Sequence, residues 1–321
     1  MSRRNIARLA PFAILLLVIL AAAIVEPSFF GSSNLRNVAR GAAFLSVVAM
    51  GQLLVVIVRG LDLSVGAVIT ATLLLIVQIA GTQEGRLLRA LVAVVALAVA
   101  IGVLNAFLVV IRRVPAILAT LATFFLVQGA GLWLTQGRSR GRVPDELRML
   151  GSGTVGPIPV PVIIAILVAI GLGLLLTRSS FGRSIYAVGS NPRAAHLAGI
   201  PHKRITTLAF VACSGLAMVA GLMLAGNVGF YDRTLGVGYD LDSIAAVVLG
   251  GASLAGGSGT VIGTLAAAAG LAALDNLLLL IGAPAPVQMI AKGLVLFAAV
   301  LAAGWLFRPA GEGAGRLSAT A

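Results

Sequence analysis

Tyr239-Asp240-Leu241-Asp242-Ser243-Ile244-Ala245-Ala246-Val247-Val248-Leu249-Gly250-Gly251 leads into an apolar run, Ser243–Gly282. A helix needs about 20 apolar residues to cross the hydrocarbon of a bilayer, so the run is too long for one crossing. Gly250, Gly251, Gly256, Gly257 and Gly259 break it, and it reads as two helical pieces. Asp240 and Asp242 open the first piece as helix caps. The glycines interrupt that piece before it can cross fully. Irregular backbone at membrane depth must be buried in protein or line a wet cavity. Transporters place such broken helices at the solute path.

Working outward, the same kind of stretch recurs at Leu9–Val25, Gly41–Val58, Val65–Gly81, Ala90–Ile111, Val114–Gln136, Pro157–Leu176, Ile205–Asn227 and Val287–Phe307. The expectation is an all-α integral membrane protein of about ten transmembrane helices, with re-entrant or broken helices among them. Composition agrees: 60% of residues are hydrophobic and 10% are charged, against about 25% charged in soluble domains. Residues 1–308 read as a single transmembrane domain and 309–321 as a disordered cytoplasmic tail. Arg3, Arg4 and Arg8 before Leu9–Val25 look like the start of a signal peptide, but the many later spans favour an uncleaved first span.

Lys and Arg outnumber Asp and Glu by 23 to 10, and they gather at span ends, where basic residues set orientation. Their distribution favours both termini on the cytoplasmic side. No basic run is interleaved with aromatics, which argues against nucleic acid. Cys213 is the one cysteine and lies in an apolar stretch, so it reads as a small buried hydrophobe. His196 and His202 share a loop without ligand partners, so no metal site is expected. Gly257 stands where a phosphate-binding loop needs its lysine, so Gly251–Ser258 does not bind ATP by that motif.

Charge inside spans is costly and marks a pathway or a pairing. In Arg59-Gly60-Leu61-Asp62-Leu63-Ser64-Val65-Gly66, two readings of Asp62 stand: a cap on the following helix, or a residue lining a polar path. An ion pair with Arg59 suits either. Asp275 and Lys292, in the last two spans, read as an intramembrane pair, although Lys292 could instead snorkel to an interface. Asn105, Gln128 and Asn227 are further polar residues within spans.

The polar stretch 177–204 contains Asn191-Pro192-Arg193-Ala194-Ala195-His196-Leu197-Ala198-Gly199. Asn191 can cap a short helix whose first residue is Pro192 and which Gly199 ends. A short ordered helix with small exposed residues between two spans is shaped to dock into something else.

Gly182-Arg183, Tyr186-Ala187-Val188-Gly189, Asn191, Ala194-Ala195 and Gly199-Ile200 together resemble the coupling segment of ribose/xylose-type (monosaccharide) ABC importer permeases. The resemblance extends to Gly60–Gly66, to Asp240–Gly251 with Gly256–Thr260, and to Asn276, in order along most of the chain. It implies the inner-membrane component of binding-protein-dependent transport, with the architecture of that permease family. The implied coupling residues are Gly182, Arg183, Tyr186, Asn191, Ala194, Ala195 and Gly199. Those of the translocation pathway or gate are Asp62, Ser64, Asn105, Asp240, Asp242 and Asn276. The implied partners are cytoplasmic ATPase subunits that hold the ATP and Mg, a second permease copy, a periplasmic sugar-binding protein and membrane lipid. The implied location is the bacterial inner membrane. Two residues depart from the pattern: Arg193, where an acidic residue is more frequent, and Asp275, where a neutral one is usual. A nucleoside or another small polar solute is the alternative cargo. A gradient-driven secondary transporter using Asp62, Asp240 or Asp275 is the alternative of another class.

Overall fold

The computed structural model describes residues 3–81, 85–139 and 141–306. Thirteen α-helices are present among them. They are α1 (Arg3–Val25), α2 (Ser32–Ile57), α3 (Val65–Ile79), α4 (Leu87–Ala106), α5 (Ala116–Thr135), α6 (Arg148–Ser152), α7 (Val160–Arg178), α8 (Ser180–Ser190), α9 (Pro192–Leu197), α10 (His202–Val228), α11 (Tyr239–Leu249), α12 (Val261–Leu280) and α13 (Ala285–Leu306). The described strands form one small antiparallel hairpin, Thr154–Val155 with Ile158–Pro159, ahead of α7.

Helix α2 is the axis of the molecule. Every residue from Ala43 to Ile57 is buried. A helix that is apolar all round belongs inside a bundle. Helices α7, α10, α11 and α12 pack around it. The outer helices instead turn apolar stripes away from the protein. Leu88, Val92, Val95 and Val99 on α4 are exposed at helical spacing, as are Ile166, Leu167, Ile170 and Leu174 on α7. Water would not tolerate such faces on a folded protein, whereas lipid does.

Six helices among the described residues are long and apolar enough to cross a membrane: α2, α4 with its C-terminal extension, α5, α7, α10 and α12. The apolar part of α1, Leu15–Val25, and all of α3 are shorter. Helix α11 has 11 residues, so at about 1.5 Å rise per residue it reaches only part of the way across. It corresponds to the first piece of the Ser243–Gly282 run. The tail from residue 309 lies outside the described residues.

Candidate functional site: a junction of two broken helices

The first break follows α2. Val58 caps the helix, and Arg59 takes the left-handed backbone conformation, with φ of 67°. This conformation is uncommon for a residue with a side chain and needs outside support. The support comes from α8: Arg59 Nε donates to Gly189 O and Nη2 to Ser190 O, each at 2.6 Å. Helix α8 carries no basic residue in its last turn, so Arg59 supplies from another segment the cation that a helix C-terminus favours. The expected Arg59–Asp62 ion pair is therefore not formed. The exposed carbonyls of α8 take the guanidinium, while Asp62 turns into the core.

The second break, Gly250 to Thr260, lies against the first. The Gly257 N–H donates to Ile57 O at 2.9 Å. Tyr186 of α8 donates its hydroxyl to Gly259 O at 2.8 Å. Burial pushes the Tyr186 phenol up, so it keeps the proton that it donates. Gly189 sits at the crossing point, where a Cβ would collide with Ile57 O and with Gly257 N. Both breaks and the end of α8 thus share one contact point.

Asp62 is fully buried. Its Oδ1 accepts from Ser64 N at 2.9 Å, from Ser64 Oγ at 2.5 Å and from Asn105 Nδ2 at 3.4 Å. Asn105 also donates to Ser64 Oγ at 2.9 Å. Asp62 does not cap the first turn of α3; Ser64 occupies the cap position there. With its side-chain amide turned so that the nitrogen faces Asp62 O, Gln52 of α2 donates to that carbonyl and accepts from Asp62 N, each at 3.1 Å. Thr120 of α5 accepts from Leu63 N at 3.0 Å. The break is thus held by side chains from α2, α4 and α5. Just past Asn105 the helix loosens into a wide turn over Phe107–Ile111, with Arg112 N donating to Phe107 O at 3.0 Å. Single wide turns of this kind recur at functional sites. Asp62 Oδ2 and Asn105 Oδ1 remain without hydrogen-bond partners.

At the opposite end of α2 lies a cavity of about 580 Å³. Asp242, Asp275, Asn276, Asn227 and Lys292 all border it. Lys292 Nζ is 2.9 Å from Asp275 Oδ2 and 2.8 Å from Asp242 Oδ2, so the pair expected between the last two spans is joined by a third charge from α11. Neither Asp240 nor Asp242 caps α11 with its side chain. Gly238 holds the cap position and both carboxylates fall in the first turn, where the helix dipole still favours them. Asn276 exchanges hydrogen bonds with Asn34 of α2 at 2.8 and 3.0 Å, which clamps α12 to the start of α2. Gln128 borders a separate small pocket beside Arg233 and Tyr231.

The 177–204 segment forms two helices rather than the single short one expected. Ser179 caps α8, accepting from Gly182 N at 3.0 Å, and the helix buries Ile185 and Val188. Phe181, Ile185 and Val188 behind a serine were the legible signal for this helix. Asn191 caps α9, accepting from Arg193 N at 3.1 Å and from Ala194 N at 3.0 Å. Gly199, with φ of 78°, ends it: Ile200 N bonds Ala195 O and Gly199 N bonds His196 O. Ala195 is buried, Ala194 and Gly199 are exposed, and Arg183 is exposed on α8. Gln52, Thr120 and the supporting role of Arg59 are what the sequence reading missed. Each acts across a long separation, with no local pattern to announce it.

Lipid-facing helices, two broken helices meeting at one point and a two-helix element seated on that point define a membrane permease. Residues 34–300 match the family described as branched-chain amino acid transport system / permease component, and the chain belongs to that family. It is 36% identical over 291 residues to the ribose import permease protein RbsC of Escherichia coli (strain K12), covering 89% of this chain and 90% of that one. To its namesake in Bacillus subtilis (strain 168) it is 33% identical over 302 residues, 92% of each. It is also 34% identical to the autoinducer 2 import system permease protein LsrC of Escherichia coli O157:H7, over 91% of this chain and 85% of that one. No solved structure matches the chain.

Proposed function

We propose that this chain is the translocation subunit of an ATP-binding-cassette importer and moves a monosaccharide across the bacterial inner membrane. The observation that carries the reading is the contact of α8 with both breaks at Gly189. A push on α8 and α9 from a cytoplasmic ATPase would reach α2 through Arg59 and the second break through Tyr186. The relatives with ribose and autoinducer 2 in their names support a small polar cargo.

In this reading about ten segments lie in the membrane, with α3 and α11 as short or partial ones. Both termini and α8–α9 face the cytoplasm, and the 580 Å³ cavity faces the other side. Two permease copies, two ATPase subunits that hold ATP and Mg, and a sugar-binding protein complete the machine. The chain itself catalyses no reaction. Gly182, Arg183, Tyr186, Asn191, Ala194, Ala195 and Gly199 form the ATPase-facing element. Asp62, Ser64 and Asn105 hold the gate near it, and Asp240, Asp242 and Asn276 belong to the far end of the path.

The test is uptake of labelled D-ribose and D-xylose by cells carrying the chain with its ATPase and binding protein. Uptake should vanish with an ATPase unable to hydrolyse ATP and persist when the proton gradient is collapsed at constant ATP. The reverse pattern would assign the chain to gradient-driven transport.

A further inference from the structure

The side of the molecule that carries α8 and α9 is charged in one sense only. No Asp or Glu occurs between Glu146 and Asp232. Arg112, Arg113, Arg178, Arg183, Lys203 and Arg204 are all exposed on that side, and Asp62, the carboxylate there among the described residues, is buried. The salt bridges among the described residues lie elsewhere. Basic residues at span ends follow from membrane insertion, so Arg178, Lys203 and Arg204 need no further reason. Arg193 does need one. It is exposed in the first turn of α9, between the spans, where a cation is disfavoured by the helix dipole. Asn191 already takes the N–H groups of Arg193 and Ala194. What the segment offers outward is therefore the guanidinium and not the helix end.

Leu197 stands four residues on, hence on the same face of α9, and is 82% exposed. One exposed leucine alone needs no explanation. Its place beside a cation on a fixed element gives it one. Ala195 anchors α9 from behind, and the His196 ring packs edge-on against His202 of α10, with centres 5.4 Å apart. The face is thus preformed, which lowers the cost of docking. We infer that it fits an ATPase subunit whose socket has an apolar floor for Leu197 and a carboxylate at its rim for Arg193. A guanidinium pairs with a carboxylate through two parallel hydrogen bonds. The surrounding cations would speed encounter with an acidic surface. An ATPase with a basic rim would be repelled, so Arg193 selects the partner by charge as well as by shape. This inference rests on the importer reading, which supplies the ATPase, and adds the chemistry of the surface that the ATPase must present.

The test is binding of the ATPase subunit used in the uptake assay to the full-length permease in nanodiscs of phosphatidylcholine, with and without added phosphatidylglycerol. The Kd in phosphatidylcholine alone should rise as NaCl is added, because exposed charges are screened. Arg193→Glu should weaken binding about tenfold or more, and Arg193→Lys by less. Leu197→Ser should weaken it at every salt concentration, since the lost contact is apolar. Arg193→Glu should melt no lower than wild type, because the site is exposed and an acid suits the first turn of a helix. Weaker binding without lower melting separates an interface role from a structural one. Binding unchanged in Arg193→Glu, or insensitive to salt, overturns the inference. So does binding that requires phosphatidylglycerol, since the cations would then serve lipid headgroups. Failure of the wild-type permease to bind the ATPase in either membrane would instead remove the importer reading.

Discussion

Arg59 Nε donates to Gly189 O at 2.6 Å and so joins the end of α2 to the end of α8. The arginine stands in a left-handed conformation, and the glycine stands where no side chain fits. Movement of either helix without the other would strand a charged donor and two helix-end carbonyls. The contact is therefore a mechanical joint, and several outcomes follow from its geometry.

Gly189→Ala should separate the parts of the joint. The added Cβ meets backbone atoms of Ile57 and Gly257, which cannot rotate away as a flexible side chain could. Forced overpacking of this kind costs about 1–3 kcal/mol. Expected is a lowered melting temperature in detergent and uptake reduced by about tenfold or more, read at equal membrane abundance. Wild-type uptake would refute the joint.

Arg59→Ala removes both donors and leaves the left-handed backbone strained, because alanine keeps the Cβ. The loss of hydrogen bonds from a charged donor is worth about 1.5–3 kcal/mol each, net of exchange with water. Because Ser190 O lies toward the surface, the cost should fall at the low end. The diagnostic result is in coupling: ATP hydrolysis should stop responding to the sugar-loaded binding protein while the ATPase still co-purifies.

Gly199→Trp should act on docking alone. No atom lies within 4 Å of the space a Cβ would enter, so the fold has room. Its left-handed φ of 78° still strains any side chain, at about 1 kcal/mol. Membrane insertion should persist and the ATPase should no longer co-purify. Normal co-purification would show that α9 does not face the partner.

Asp62→Asn and Asp62→Leu should differ. Asparagine retains an acceptor for Ser64 N and fits the same space, and melting should shift little. Leucine strands that buried donor, with a penalty of about 1–3 kcal/mol and a clearly lower melting temperature. Equal behaviour of the two variants would mean that the hydrogen bonds around Asp62 do not hold the break.

Much was legible from composition and local pattern. Hydrophobic runs marked the membrane segments because bilayer thickness imposes a length on each crossing. The glycine-rich interruption after Leu249 marked a partial helix for the same reason. Asn191-Pro192 and Gly199 marked both ends of α9, since caps are decided within a few residues. Tertiary structure decided the rest. Which way Asp62 faces depends on Gln52, Ser64 and Asn105, brought together from two helices and the turn between α2 and α3. The partner of Arg59 lies 130 residues away, and Lys292 has a second carboxylate in α11 besides Asp275. Hydrophobicity acts through local periodicity and so can be read along the chain. A hydrogen bond or ion pair is short-ranged and directional, so its partner is chosen only when packing brings distant segments together.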